Sequence, residues 1–364
     1  MILHICCNLA GSTVFPQLFT ALRDIGLPQT VFVPEKRRAD MGRNHPEGVP
    51  TLQRLTVRRS DALFFFRKAQ RSVKAIRSEI NLTDVKLIHA HTLFTDGSIA
   101  AKLSRETGIP YGVTLRYSDT EVIWPKEPHL RGLGRRVLRE ASFVVFLSEK
   151  VKEKVLGGWV SAEERTALEK KCVVIPNGIQ PEWLDGTARS APGNPLRVGF
   201  AGRLNGRKRP LDSLEAAHAA NDALSCVWIG CGAGPLEERV RAGMAAGDEW
   251  RGALSGMTEM KRFYRDIDVL LVPSQAETFG MVYLEAMSQG VPVLYTKGQG
   301  FDGQLPEGQA GFAVPCGDVP AMKDAILRIA EDYAGFSERS VRAAQRFSWP
   351  LIAERWRACY SLWL

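Results

Sequence analysis

Long hydrophobic runs are missing from this 364-residue chain. No apolar stretch reaches the roughly 18 residues that a membrane-spanning helix requires. Residues 1–7 carry no basic segment and no small-residue cleavage pattern, so we interpret them as a buried strand and not as a secretory signal. These absences argue against a membrane-spanning or secreted protein and predict a cytoplasmic one.

Paired cysteines are missing as well. The seven cysteines form no C-x-x-C pair and no His/Cys metal-ligand spacing, and most of them lie in apolar runs. This usage predicts free thiols in a reducing compartment. RNA-binding motifs and basic-aromatic repeats are also absent, so we expect no nucleic acid as a partner.

The composition is that of a folded globular protein, with 45% apolar and 24% charged residues. The length predicts two α/β domains. Residues 1–180 contain 28 Lys and Arg against 18 Asp and Glu, a net charge of +10, whereas residues 181–364 contain 20 against 22, a net charge of −2. The basic half indicates contact with an anionic surface, although an Arg-rich composition alone gives the same imbalance.

A basic amphipathic helix is predicted over residues 61–80. Arginines and lysines fill much of one side, and Phe64 and Phe65 widen the apolar side beyond what a core requires. This combination is typical of docking on anionic lipid, but an ordinary surface helix with a solvated basic face shows it too. The apolar stripe consists of Leu63, Phe66, Val73, Ile76 and Ile80.

Strands and helices alternate in the first half, which predicts a parallel sheet whose strands end in polar loops. Gly11 follows the first strand, where a ligand could approach the backbone, or where the chain simply turns. His89 and His91 face one side of a later strand; since no third ligand is evident, we expect a polar cluster and no metal. Arg116 is suited to hold a phosphate or carboxylate, or else it pairs with Asp119.

The domain boundary is predicted at residues 185–195, a Gly/Pro/Ser-rich linker. It separates a first domain, residues 1–184, from a second, residues 196–345. The last segment, residues 346–364, is predicted to be a helix that carries tryptophans.

Two cations follow the first strand of the second domain. Arg203 and Lys208 lie between that strand and the next helix, where they would neutralise a diphosphate together with helix-start amides. The Walker pattern G-x-x-x-x-G-K-[ST] is absent, and simple surface charge is the alternative. Neither the segment 230–235, which ends in Pro235 and so fails the dinucleotide fingerprint, nor Asp266-Ile-Asp268 predicts a cofactor or metal.

Two glutamates mark the strand–loop–helix–strand stretch of residues 269–294. Glu277 lies in the loop and Glu285 in the second turn of the helix, at the sheet edge where α/β proteins bind ligands. They could be the acid and base of a hydrolase, but the nearby cations favour a phosphate ligand. Helix-start amides lack intrahelical partners and favour anionic or hydroxyl oxygens; here they belong to Phe279, Gly280 and Met281.

Together these segments resemble the family 4 retaining glycosyltransferases, which have the GT-B fold. The matching residues are Ala201-Gly-Arg-Leu with Lys208 five residues after Arg203, Val174-Ile-Pro-Asn-Gly-Ile, and residues 274–293, S-Q-A-E-T-F-G-M-V-Y-L-E-A-M-S-Q-G-V-P-V. The last segment contains the family's Glu–seven residues–Glu element. The resemblance covers essentially the whole chain and is strongest from residue 173 to residue 330.

The resemblance implies two doubly wound, Rossmann-like domains that face each other across a cleft. The second domain would bind a nucleotide-sugar, with Arg203 and Lys208 on the diphosphate, Glu285 on the ribose and Glu277 on the sugar hydroxyls. The final helix would return to the first domain. Further donor contacts would come from the amides of Phe279, Gly280, Met281 and Val282, and from Gly232, Gly256 and Met257 beside the base.

The resemblance also implies metal-independent transfer with retention and without a cofactor. Many members have a histidine where Arg116 stands, and versions with Arg116 and Asp119 resemble a subset from bacterial surface-polysaccharide assembly. The acceptor side would then include Gly11, His91, Arg116 and Asp119. The acceptor would be a lipid-linked or polysaccharide glycan, reached at the inner face of the plasma membrane.

Overall fold

The computed structural model describes residues 1–58, 61 and 65–364. The predictions for Leu63, Phe64 and the side chain of Phe65 fall outside this described part. The chain divides into two compact units. The first unit combines Met1–Gly178 with Trp349–Leu364, and the second is Ile179–Ser348.

The first unit is built on a parallel sheet with helices along it. Among the described residues its strand order is β3-β2-β1-β4-β5-β6-β7. The order reverses between β1 and β4, which makes their carboxyl ends a topological switch point. The strands are β1 (Ile2–Ile5), β2 (Gln29–Glu35), β3 (Thr51–Leu55), β4 (Leu87–Ala90), β5 (Tyr111–Thr114), β6 (Phe143–Phe146) and β7 (Cys172–Val174). The helices are α1 (Val14–Asp24), α2 (Phe65–Glu79), α3 (Thr95–Thr107), α4 (Trp124–Lys126), α5 (Arg131–Glu140), α6 (Glu149–Gly158) and α7 (Ala162–Glu169).

The second unit repeats this plan with six parallel strands among its residues, in the order β10-β9-β8-β11-β12-β13. Its switch point lies between β8 and β11. The strands are β8 (Leu196–Ala201), β9 (Cys226–Cys231), β10 (Glu249–Trp250), β11 (Val269–Leu271), β12 (Val293–Thr296) and β13 (Gly311–Val314). The helices are α8 (Pro210–Ala220), α9 (Glu237–Gly243), α10 (Gly256–Arg265), α11 (Met281–Ser288), α12 (Val319–Glu331) and α13 (Tyr333–Gln345).

The last helix, α14 (Trp349–Tyr360), belongs to the first unit. Its buried face carries Ile352, Trp356 and Tyr360 into a core shared with α1, because these side chains repeat at helical spacing. The indole Nε1 of Trp349 donates to Oε1 of Gln17 at 2.8 Å.

The predicted domain linker differs from the structure. Residues 185–195, the predicted linker, lie in the second unit, where the guanidinium of Arg189 donates to the carbonyls of Ile267 and Tyr264. Asp96 lies in the first turn of α3. No helix among the described residues is both long and apolar enough to cross a membrane.

Candidate active site

An ion pair occupies the switch point of the second unit. Lys208 comes from the loop after β8 and Glu277 from the loop after β11, and Lys208 Nζ lies 2.5 Å from Glu277 Oε2. Their side chains are only 14% and 15% exposed. The amide of Gln275 donates to the carbonyl of Arg207 at 2.7 Å and so ties the two loops together. The structure thus brings two of the predicted donor-site residues into contact.

The backbone around Glu277 is held by the loop after β12. The Glu277 amide donates to Gln299 Oε1 at 3.0 Å, and the Gly300 amide donates to the Glu277 carbonyl at 2.9 Å. A side chain at residue 300 would meet the carbonyl oxygen of Thr278 at 2.2 Å, so this close approach requires glycine. The loop after β12 thus holds the backbone of Glu277, and Lys208 from the loop after β8 holds its carboxylate.

Gly280 starts α11 with a φ of +91°, a conformation that side chains rarely adopt. This turn brings the amides of Phe279, Gly280, Met281 and Val282 to the sheet edge beside Glu277. The first amides of an α-helix have no partner within the helix. Such amides favour anionic or hydroxyl oxygens, and the role of these four amides in donor binding stays a prediction.

Glu285 lies one turn further along α11. Its Oε2 accepts the hydroxyl of Tyr264 from α10 at 2.8 Å. Burial raises the pKa of Glu285, and this hydrogen bond lowers it in part. The hydrogen bond orients the carboxylate, which suits a binding role better than proton transfer.

Glycines make the loops after β8 and β9 fit against each other. A Cβ at Gly232 would stand 1.9 Å from the carbonyl oxygen of Gly202, and a Cβ at Gly234 would stand 2.3 Å from that of Leu204. The Gly232 amide also donates to the Gly252 carbonyl at 2.7 Å. The loops after β8, β9 and β10 thereby contact one another, and the loop after β10 leads to Gly256 and Met257 at the start of α10.

Arg203 is placed differently from Lys208. Its side chain is exposed, and no ion pair joins it to a carboxylate in the part of the chain that the structure describes. The contact between Arg203 and a diphosphate stays a prediction, because this side chain would have to become ordered against the ligand on binding.

The switch point of the first unit holds a histidine cluster that the sequence showed only in part. His4 on β1 stands opposite His89 on β4, and its Nδ1 lies 3.0 Å from Nε2 of His91. His89 forms hydrogen bonds through Nδ1 with the Tyr360 hydroxyl at 2.7 Å and through Nε2 with Thr114 Oγ1 at 2.8 Å. His4 is thus a third histidine, which parallel pairing of the first and fourth strands could have revealed. Within the described part of the chain, these three form the group that could hold a metal.

Acid should destabilise the fold through this cluster. Burial lowers the pKa of His4 to about 3, below the ordinary value of 6.5, and lowers the pKa of His89 and His91 as well. At a pH between the lowered pKa of a buried histidine and its ordinary value, the unfolded chain binds a proton at that imidazole and the folded chain does not. Each such histidine therefore reduces the free energy of unfolding by about 1.4 kcal/mol for each unit by which the pH falls. The buried Asp96 and Asp119, whose pKa values burial raises to about 7 and about 6, oppose this slope.

The His4→Gln variant should therefore show a pH slope between pH 6 and 4 that is smaller than the wild-type slope by about 1.4 kcal/mol per pH unit. Urea unfolding at pH 6, 5 and 4, followed by tryptophan fluorescence, measures this slope. His45→Gln is the control, because His45 is exposed. Equal slopes for His4→Gln and wild type would contradict the account.

Asp96 is a buried carboxylate at the same edge that sequence reasoning did not select. Its Oδ1 accepts the Cys7 amide at 3.0 Å, and its own amide donates to Thr92 Oγ1 at 3.2 Å. Lys68 on α2 donates to Thr95 Oγ1 at 2.9 Å, beside it. The signal in the sequence was an acidic residue in the first turn of a helix that follows a strand.

Arg116 and Asp119 are neighbours, but their side chains do not pair. Asp119 Oδ2 accepts the backbone amide of Arg116 at 2.9 Å, and Oδ1 accepts the Phe94 amide at 3.3 Å. The Arg116 guanidinium instead donates to Asn177 Oδ1 at 3.0 Å and lies 4.6 Å from the centre of the Phe15 ring. The alternative of a structural Arg116–Asp119 ion pair is thus wrong, because Asp119 caps the backbone.

Gly11 lies in the turn after β1 and is exposed. A Cβ there would meet no heavy atom within 4 Å. The surrounding loop is held by Asn44, whose side-chain amide donates to the carbonyls of Leu9 and Ala10. The position leaves open space beside the backbone.

Family models match both units. The model described as "Glycosyltransferase Family 4" matches residues 12–183, and the model described as "Glycosyl transferases group 1" matches residues 195–332. The chain belongs to glycosyltransferase family 4. The two parallel sheets agree with the predicted GT-B fold of two Rossmann-like domains.

Known proteins resemble this family 4 chain at low identity. A phosphatidyl-myo-inositol mannosyltransferase of Mycobacterium leprae is 29% identical over 208 residues, which cover 52% of this chain and 53% of that protein. An amylovoran biosynthesis glycosyltransferase of Erwinia amylovora is 28% identical over 176 residues, covering 45% and 43%. The matches thus span about half the length of these curated relatives. The crystal structure of Anabaena HepE in complex with UDP aligns with a TM-score of 0.75 at 19% identity, over 99% of both chains, which shows the fold alone.

Proposed function

We propose that this protein is a retaining glycosyltransferase. It moves a hexose-type sugar from a nucleotide-sugar to a lipid-linked or polysaccharide acceptor in bacterial cell-surface glycan synthesis. The observation that carries the proposal is the Lys208–Glu277 pair at the switch point of the second unit, beside the start of α11. A cation, a carboxylate and helix-start amides together match a ligand that carries both phosphates and hydroxyls.

In this mechanism the donor replaces the ion pair with its own groups. Lys208, with Arg203, neutralises the charge that develops on the departing diphosphate, and Glu277 accepts hydrogen bonds from the sugar hydroxyls. Glu285 holds the ribose. The acceptor hydroxyl attacks from the side of the leaving group, and a donor phosphate oxygen takes its proton, so no protein nucleophile is needed. Because protein cations do the neutralising, we expect transfer to continue in EDTA.

The names of the relatives support a glycosyltransferase that acts in glycan or glycolipid synthesis. One is a mannosyltransferase that acts on a phosphatidyl-myo-inositol, and another serves amylovoran biosynthesis. A nucleotide-sugar hydrolase or epimerase of the same fold is the first alternative, and a non-catalytic membrane-docking module is the second. Nucleotide release that requires an acceptor, with product configuration determined by NMR, supports the transferase; release without acceptor supports the hydrolase.

We place the proposed membrane contact on the first unit. Phe66 on α2 is 61% exposed, and it lines a groove together with Ala101 and Leu133. Basic side chains also line this groove: Lys102, Arg105 and Arg136. A groove with both apolar and basic side chains suits a peripheral position at the cytoplasmic face of the plasma membrane.

Phe66→Ser should weaken binding to phosphatidylglycerol vesicles by about 10- to 150-fold, because burying a phenyl side chain contributes about 1.5 to 3 kcal/mol. Vesicle co-sedimentation measures the change. Leu351→Ser on α14 is the matched control, since Leu351 is an apolar side chain of the same unit with 53% exposure. Equal losses in both variants would contradict a specific docking face.

A further inference from the structure

A buried tyrosine supports Glu285 in the second unit. Tyr264, near the end of α10, is 0% exposed, and its ring packs against that of Trp183 with 6.0 Å between the ring centres. The backbone carbonyl of Tyr264 accepts a hydrogen bond from the Arg189 guanidinium at 2.8 Å. Because both the ring and the backbone are held, the hydroxyl has a fixed position, from which it donates to Glu285 Oε2 at 2.8 Å.

The Glu285 carboxylate depends on this hydroxyl because no cation accompanies it. In the part of the chain that the structure describes, no ion pair joins Glu285 to a lysine or an arginine. Glu285 is half-buried, and an ionised carboxylate has acceptor positions for several hydrogen bonds. The Tyr264 hydroxyl therefore stabilises the ionised carboxylate and leaves it able to accept hydrogen bonds from further hydroxyl groups.

Two further titratable groups lie near this pair, Cys231 and Arg251. Burial raises the pKa of the Cys231 thiol, at the end of β9, to about 12, and Arg251, whose charge acts on that thiol, is paired with Asp266 at 2.7 Å. The helix α13 and the strand β12 also pack against α11, and among the described residues they place no charged side chain in contact with Glu285. Burial raises the pKa of Glu285, and the hydrogen bond from Tyr264 opposes this rise. Since burial also raises the pKa of Tyr264 well above its ordinary value, its hydroxyl keeps the proton that it donates.

We propose that Tyr264 is a positioning residue of the donor site, whose hydroxyl holds the Glu285 carboxylate ready to accept the ribose hydroxyls of a nucleotide-sugar. The inference rests on the proposed function, in which Glu285 binds the ribose. It adds a buried residue of α10 to the donor site, and it makes the affinity for the donor depend on pH.

The direction of this pH dependence follows from the charge of Glu285. A protonated carboxyl group has less acceptor capacity than a carboxylate, so donor affinity should fall as the pH falls through the Glu285 pKa. Removal of the Tyr264 hydroxyl takes a hydrogen bond from the ionised form and so raises the Glu285 pKa further. The acid limb of the affinity profile should therefore move to higher pH, by about one to two pH units for a hydrogen bond to a charged group.

The test measures the dissociation constant of the full chain by isothermal titration from about pH 5 to about pH 8. The probes are UDP-glucose, UDP-galactose, UDP-N-acetylglucosamine, GDP-mannose and ADP-glucose. The variants are Tyr264→Phe, which keeps the ring, and Glu285→Gln, which cannot ionise. Tyr333→Phe is the matched control, because Tyr333 on α13 is a buried tyrosine of the same unit whose hydroxyl has no hydrogen-bond partner among the described residues. Circular dichroism at each pH shows that every variant is folded.

Tyr264→Phe should bind the donor nearly as well as wild type at the alkaline end and lose affinity at a higher pH than wild type, by the shift given above. Tyr333→Phe should follow the wild-type profile. Glu285→Gln should bind weakly and without this acid limb. An unshifted limb in Tyr264→Phe, an equal loss at every pH, or a wild-type limb in Glu285→Gln would overturn the inference.

The same titrations separate this inference from the proposed function. Binding of any probe by wild type at about pH 8 supports a donor site, whatever the profile of Tyr264→Phe. If wild type binds none of the probes at that pH, the proposed function is contradicted and the inference about Tyr264 falls with it.

Discussion

Glu277→Ala should lower the rate of sugar transfer by about 100- to 1,000-fold, as expected when one charged contact to the reacting group is lost. The carboxylate lies 2.5 Å from Lys208 at the start of α11, so its loss removes the partner that positions the lysine and, under the proposed function, a contact to the sugar. Initial rates at saturating donor measure the effect.

The fold should survive this change. The backbone at residue 277 is held by hydrogen bonds from Gly300 and to Gln299, which alanine keeps. Far-ultraviolet circular dichroism should match wild type, and Glu331→Ala, an exposed glutamate of α12, should retain full activity. Wild-type activity in Glu277→Ala would remove this residue from the site.

Gly232→Ala should lower the unfolding free energy of the second unit by about 2 to 4 kcal/mol. The added Cβ would stand 1.9 Å from the Gly202 carbonyl oxygen, at a φ of +132° that side chains rarely adopt. Because the contact is with backbone, one of the two loops must move, and donor binding should weaken with stability.

Gly206→Ala is the control for this prediction. Gly206 lies in the neighbouring loop, where a Cβ would meet no heavy atom within 4 Å. The unfolding free energy of the Gly206→Ala variant should stay within about 0.5 kcal/mol of the wild-type value. Urea unfolding of both variants decides the matter: similar stabilities would mean that the loops after β8 and β9 do not need their close approach.

Structural elements could be predicted from the sequence where a local pattern of residues determines them. The stretch around Glu277 combines an apolar run, a polar loop and helical spacing, and these local preferences agree with the final β11–loop–α11–β12 arrangement. The parallel sheets followed from alternating strands and helices. The contact between Glu277 and Lys208 did not follow from spacing, because the two residues are 69 positions apart in the chain and the pairing of β8 with β11 brings their loops together.

The first unit shows why the rest required the structure. His4, His89 and His91 meet because β1 pairs with β4, a long-range register that no local pattern contains. Arg116 and Asp119 are close in sequence, yet the carboxylate binds the backbone and the guanidinium binds Asn177, 61 residues away. Hydrogen-bond partners depend on the tertiary fold, and residue types and spacing do not select among them.

The most direct test of the central claim is a titration of a panel of nucleotide-sugars against wild type, Lys208→Met and Lys68→Met. The account predicts that at least one nucleotide-sugar binds wild type and Lys68→Met alike and binds Lys208→Met at least about tenfold more weakly, as loss of a charged hydrogen bond implies. Equal affinity for wild type and Lys208→Met, or no binding by any member of the panel, would contradict a donor site at the switch point of the second unit.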